Sequence, residues 1–123
     1  MPIETITVHE AQGTTTITTR QGDRVVVDEE HRTLTLQDVN GNKLELGPGG
    51  ITITSIGDIT FRAAGNVGVR ATGDVATIAD GAISQRGKTI AHQAREGFTA
   101  QAANAQLVAD GETIIRGALV RIN

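Results

Sequence analysis

The residues best equipped for chemistry fall in four places, each suited to a different reaction or ligand. Ala82-Ile-Ser-Gln-Arg-Gly87-Lys88-Thr89 fits a relaxed phosphate-binding loop with alanine at the first glycine position. In such a loop, backbone amides and the lysine cradle phosphates at a helix N-terminus. A short apolar stretch precedes it, but too little chain remains for the parallel sheet of a nucleotide-binding domain. His9, His31 and His92 are the imidazoles available for metal ligation or proton transfer. They lie far apart in unlike contexts, with no carboxylate or second histidine at ligand spacing, so each reads as an exposed polar residue. Asp58, Asp74, Asp80 and Asp110 suggest calcium, yet none lies in the Gly-Gly-x-Gly-x-Asp pattern of calcium-binding rolls. Thr14, Thr15, Thr16, Thr18 and Thr19 suggest an ice-binding array, which needs a lattice repeated over many coils; one cluster reads as a solvent-facing strand. No catalytic centre, metal or cofactor is expected.

Composition narrows the classes further. The chain has 123 residues, Phe61 and Phe98 as its only aromatics, and fifteen glycines. Domains of this size usually rely on several bulky aromatics, so a conventional compact core is under-supplied. Glycine is costly inside helices and strands and is kept where the backbone turns or packs closely. A net charge of −3 without a basic cluster or aromatic platform excludes nucleic acid as a partner. With no cysteine, there is neither disulfide nor thiolate metal site. The start Met1-Pro2-Ile3-Glu4 lacks a basic n-region and an apolar h-region, so the expectation is synthesis in the cytoplasm without a signal peptide. No apolar run approaches the roughly 20 residues that span a bilayer.

The elements that must hold these residues are strands. Ile3–Val8, Thr14–Arg20, Arg24–Val27, Thr33–Gln37 and Lys43–Leu46 are enriched in β-branched residues. Between them lie Gln21-Gly22-Asp23, Asp28-Glu29-Glu30 and Asn40-Gly41-Asn42, which carry turn chemistry. From Gly50 the sequence repeats every eight residues: Gly50–Gly57, Asp58–Gly65, Asn66–Gly73 and Asp74–Gly81. Glycine fills the eighth place of all four units. Ile51, Ile59, Val67 and Val75 fill the second place, and Ile53, Phe61 and Val69 three of the fourth places. Two inward side chains at period 2 make a very short strand, and Gly-Asp or Gly-Asn makes the corner. The expected domains are therefore 1–49, a region of short strands, and 50–123, a repeat region running to the tip.

A unit of eight buries nothing alone and must stack on neighbours and on something opposite. A single-chain solenoid coil needs roughly eighteen or more residues per turn, for example three hexapeptides. Eight residues fit one side of a three-chain prism. The expected fold is thus all-β, an intertwined triple-stranded β-helix formed by a homotrimer, with Ile51, Ile53, Ile59, Phe61, Val67, Val69 and Val75 along its axis. Beyond Gly81 the repeat blurs. Continuing the frame places Ile83, Ala91, Thr99, Leu107 and Ile115 second, and Gln85, Gln93 and Gln101 fourth, as an inward amide ladder. The alternative over about Ile90–Leu107 is an amphipathic helix, since Ile90, Ala94, Phe98 and Ala102 share helical spacing, though Gly97 would break it.

The series Gly22–Asp28, Arg32–Asp38, Asn40–Leu46, Gly50–Ile53, Gly57–Thr60 and Gly65–Val69 resembles the C-terminal β-helical region of VgrG spike proteins and the related central spikes of contractile phage tails. The closing Ile114–Asn123 resembles the way many VgrG chains end. The resemblance covers roughly Gln21 to Asn123. It implies a structural spike of a contractile injection system, type VI secretion or phage-tail-like, in which three chains form a prism that punctures a target membrane when a sheath contracts. It also implies baseplate hub or tube proteins at the N-terminal end and delivery to the exterior or target cell. The hub domains that normally precede the prism are absent from this sequence, leaving open a fragment or a stand-alone spike. No histidine follows His92, so a histidine-ligated metal tip is not expected. Instead Gly117, Ala118, Leu119, Val120, Arg121, Ile122 and Asn123 are expected to form a blunt end on which a PAAR-repeat protein docks; the alternative is an end that frays in water. Two other readings are a trimeric fibre or adhesin segment, which calls for exposed aromatic or polar loops, and a left-handed β-helix acyltransferase, which calls for hexapeptides.

Overall fold

The structure is a computed structural model that describes Thr7–Asn123. It is all-β, and no helix forms among the described residues. Six strands follow one another: β1 Thr7–Ala11, β2 Thr14–Thr18, β3 Arg24–Asp28, β4 Thr33–Gln37, β5 Lys43–Gly47 and β6 Gly50–Thr54. They form one antiparallel meander in sequence order, each strand paired with the next. Each strand is five residues long because glycine or an Asp/Asn-bearing turn interrupts every run of β-branched residues. Of the expected first strand, residues 3–6 lie outside the described residues, and β1 extends past Val8 to Ala11.

The turns show why the chain reverses where it does. Between β1 and β2, Gln12 and Gly13 take φ of 50° and 79°, positive at both central positions as a two-residue hairpin matched to strand twist requires. Between β4 and β5, the Asp38 carboxylate organises the loop. Its Oδ1 accepts from the Asn40 and Asn42 backbone N–H groups, both at 2.9 Å, and its Oδ2 from Asn42 Nδ2 at 2.8 Å. These bonds favour the ionised form, with the Asn42 side-chain bond the largest cause, and hold Asp38 below its ordinary pKa. A similar corner joins β2 to β3, where Thr19 N–H donates to the Asp23 carbonyl at 2.9 Å and Gly22 N–H to the Thr19 carbonyl at 3.0 Å.

These corners are linked. Asp23 Oδ1 accepts from Val39 N–H at 3.1 Å, and Asn42 Oδ1 accepts from Ile56 N–H at 3.1 Å. Thus the last residue of each corner caps a backbone donor of the next, and the third corner is Ile56-Gly57 of the first octad. The expected boundary at 49/50 falls inside the β5–β6 hairpin, where the first octad serves as the sixth strand. By contacts the chain divides into two units, Met1–Arg70 and Ala71–Asn123.

After β6 the backbone bends at 56–57, 64–65, 72–73 and 80–81, on the seventh and eighth places of the octads. Further bends follow at 88, 95–96, 103–104, 110–111 and 118–119. Bends therefore recur through 82–110, and the amphipathic helix does not form. They also step back one residue by Arg95-Glu96 and another by Asp110-Gly111. Counted from these bends, Phe98 rather than Thr99 takes a second place, Gln101 a fifth, and Ile115 a fourth. The expected amide ladder of Gln85, Gln93 and Gln101 therefore loses its register.

Candidate assembly interface

The strand register sorts the side chains of the sheet by face, because directly paired residues point the same way and alternate residues share a face. One row crosses all six strands through Val8, Ile17, Val25, Leu36, Leu44 and Ile53. Two residues along, on the same face, lies Glu10, Thr15, Val27, Leu34, Leu46 and Ile51. The opposite face carries His9, Thr16, Val26, Thr35, Glu45 and Thr52 in one row. In the row beside it, Arg24 Nη2 donates to the Gln37 Oε1 of its partner residue at 3.2 Å. The sheet is amphipathic, with one apolar face and one polar face.

No described residue is buried, and on the apolar face Leu36 is 42% and Ile53 56% exposed. Two concavities open along the rows: one of about 560 Å³ includes Ile17, Val25, Leu36, Leu44 and Ile53, and one of about 500 Å³ includes Val27, Leu34 and Leu46.

The octads are equally unsupported. Ile59, Phe61, Val67, Val69 and Val75 are all exposed, Val69 at 78%. Beyond Asp58, no backbone hydrogen bond forms within the chain among the described residues. A regularly bent, extended backbone therefore presents all its amides and carbonyls to whatever lies outside it. The corner glycines sharpen this. Gly57, Gly65, Gly73 and Gly81 have no positive φ, and a Cβ added to any of them meets nothing within 4 Å. The bends fall on these glycines, yet neither a left-handed φ nor a close neighbour among the described residues calls for glycine there. Towards the end, Gly117 differs: a Cβ there would stand 3.2 Å from the Leu119 carbonyl oxygen, so the bend at 118–119 is tight against its own backbone. Leu119, Val120 and Ile122 of the expected docking end are exposed.

The candidates for chemistry are scattered. Lys88 sits at a bend with no helix after it, so the Ala82–Thr89 segment lacks the helix N-terminus a phosphate-binding loop uses. His31 follows β3, where its N–H donates to Asp28 Oδ1 at 3.0 Å and its Nδ1 lies 2.9 Å from Asp28 Oδ2. The side-chain bond to Asp28 raises the His31 pKa, and the His31 backbone N–H is the chief cause that lowers Asp28. His92 packs its ring against Phe98, centroids 5.8 Å apart. His9 stands on the polar sheet face opposite Thr16. The three histidines do not converge, and no group of three or more His, Cys, Asp or Glu that could hold a metal occurs among the described residues. No helix among the described residues is long and apolar enough to cross a membrane. The sequence alone missed the full apolar face, because only cross-strand register reveals it.

In comparisons with known proteins, no protein-family model and no curated protein matches the chain.

Proposed function

We propose that the chain is a structural spike component of a contractile injection system, VgrG-like or phage-tail-like, working as an intertwined homotrimer that acts by stiffness. The observation that carries this reading is the stretch beyond Asp58, where a regularly bent backbone makes no main-chain hydrogen bond of its own. Interchain ladders satisfy such a backbone, and they leave no free edge once three copies close around one another. Corner glycines that neither a left-handed φ nor a close neighbour among the described residues calls for fit the same reading, since a neighbouring backbone passing close by excludes a Cβ. In this assembly Ile51, Ile53, Ile59, Phe61, Val67, Val69 and Val75 line the axis. Gly117–Asn123 forms a blunt platform for a PAAR-repeat protein, hub or tube proteins meet the N-terminal end, and the target membrane is contacted mechanically.

Chains held in this way unfold only together, which suits a part driven through an envelope. Immunogold labelling of sheath-bearing particles from cells that make the chain tests the role. Label confined to the leading end of the tube is the expected result; label absent from such particles contradicts it.

A further inference from the structure

We infer that three copies of His92 meet on the axis of the repeat region and form a three-imidazole site for a divalent transition-metal ion, well short of the tip. This rests on the trimeric reading above, because each chain supplies one ligand. The slip in the repeat brings His92 into place. Counted from the bends at 88 and 95–96, Ile90 and His92 take the second and fourth places of their unit, where the strict octad count puts Ala91 and Gln93. Second and fourth places share one side of an extended strand, and in the proposed trimer that side is the inner one.

A contact within the chain puts His92 on the same side independently. Its ring lies against that of Phe98, with centroids 5.8 Å apart and planes tilted by 36°. Six residues of extended chain span about 20 Å, so the two rings meet only because both lie on the concave side of the bend at 95–96. In a closed prism the concave side of every bend faces the axis. Threefold repetition therefore gathers three imidazoles within a collar of three Phe98 rings. The charged residues of 89–104 are Arg95 and Glu96, both at the bend, so no cationic side chain occupies the inward places of these two units. An imidazole turned to an apolar axis is costly to bury unless its ring nitrogens find partners. A zinc-like ion takes one lone pair from each of three neutral imidazoles and keeps a fourth position for water, with no thiolate required.

Calorimetric titration with Zn²⁺ tests this in a chain carrying His9→Gln and His31→Gln, in which His92 is the one remaining histidine. The expected result is one ion bound per three chains, in protein of trimer mass, with a melting temperature that rises as Zn²⁺ is added. Adding His92→Gln should abolish both effects. If that triple variant does not assemble, the stoichiometry of the double variant decides alone, since a ligand on the outer surface binds per chain and not per three chains. No binding, or one ion per chain, in protein of trimer mass overturns the inference and leaves the trimer standing, whereas a monomer mass removes both.

Discussion

Ile56 closes over Gly41: a Cβ built on that glycine would stand 3.1 Å from the Ile56 Cγ2 methyl, while the Ile56 N–H donates to Asn42 Oδ1 at 3.1 Å. Gly22 and Val39 repeat the relationship one corner earlier, at 3.2 Å, with Val39 N–H on Asp23 Oδ1. In both pairs the glycine has φ of 102°, the left-handed region that side chains avoid. Gly41→Ala combines backbone strain with this contact and costs about 1–3 kcal/mol. Gly68→Ala carries no such backbone strain, because its φ lies outside the left-handed region, and should cost less. Thermal melts of the two variants check this, and equal melting temperatures contradict the corner stacking.

The loop carboxylates set the acid side of stability. Asp38 and Asp28 both titrate below their ordinary value of 3.8. Their contributions are therefore complete above that value and are lost as pH falls through the lowered ones. His31 titrates above its ordinary 6.5, so its contribution is complete below 6.5 and lost as pH rises through the raised value. His31→Gln should flatten the decline in melting temperature on the alkaline side of 6.5. Asp38→Asn should lower the melting temperature at neutral pH and flatten part of the acid decline. An unchanged pH profile in either variant contradicts the assigned pairing.

Much of this was legible in the sequence, and the limits have physical reasons. β4 runs over Thr33–Gln37 as its alternation indicates, and the octad glycines announce their bends. The apolar face was not legible: β2 reads Thr-Thr-Thr-Ile-Thr and β3 Arg-Val-Val-Val-Asp, patterns that show no clear inner side until Ile17 is paired with Val25. Gly22 beneath Val39 is a contact across a hairpin, invisible to local spacing. Gly97 keeps the octad count in sequence while the bend moves to 95–96, so the frame that places Ile83 correctly misplaces Thr99. Spacing alone does not register such a slip.

The axial octads give the next prediction. Val67 occupies a second place and Arg70 a fifth in the unit Asn66–Gly73. In the proposed trimer, Val67→Asp puts three carboxylates near one axis, where unpaired charge is costly and like charges add to the cost. Trimer yield and thermal stability should both collapse, whereas Arg70→Asp should leave them nearly unchanged. Equal effects of the two substitutions contradict the axial assignment.

At the tip, removal of residues 118–123 takes away Leu119, Val120 and Ile122 together with the tight bend after Gly117. The trimer should persist, while binding to a cognate PAAR-repeat protein should be lost in a pull-down. Undiminished binding contradicts the docking assignment.

The central claim is that this chain is completed by two more copies of itself. Light scattering coupled to size-exclusion chromatography at low protein concentration tests it most directly. The account predicts three times the 12.8 kDa chain mass, about 38 kDa, with no monomer in equilibrium, because no chain buries its apolar face or pairs its octad backbone alone. A stable, folded species of 12.8 kDa would contradict it.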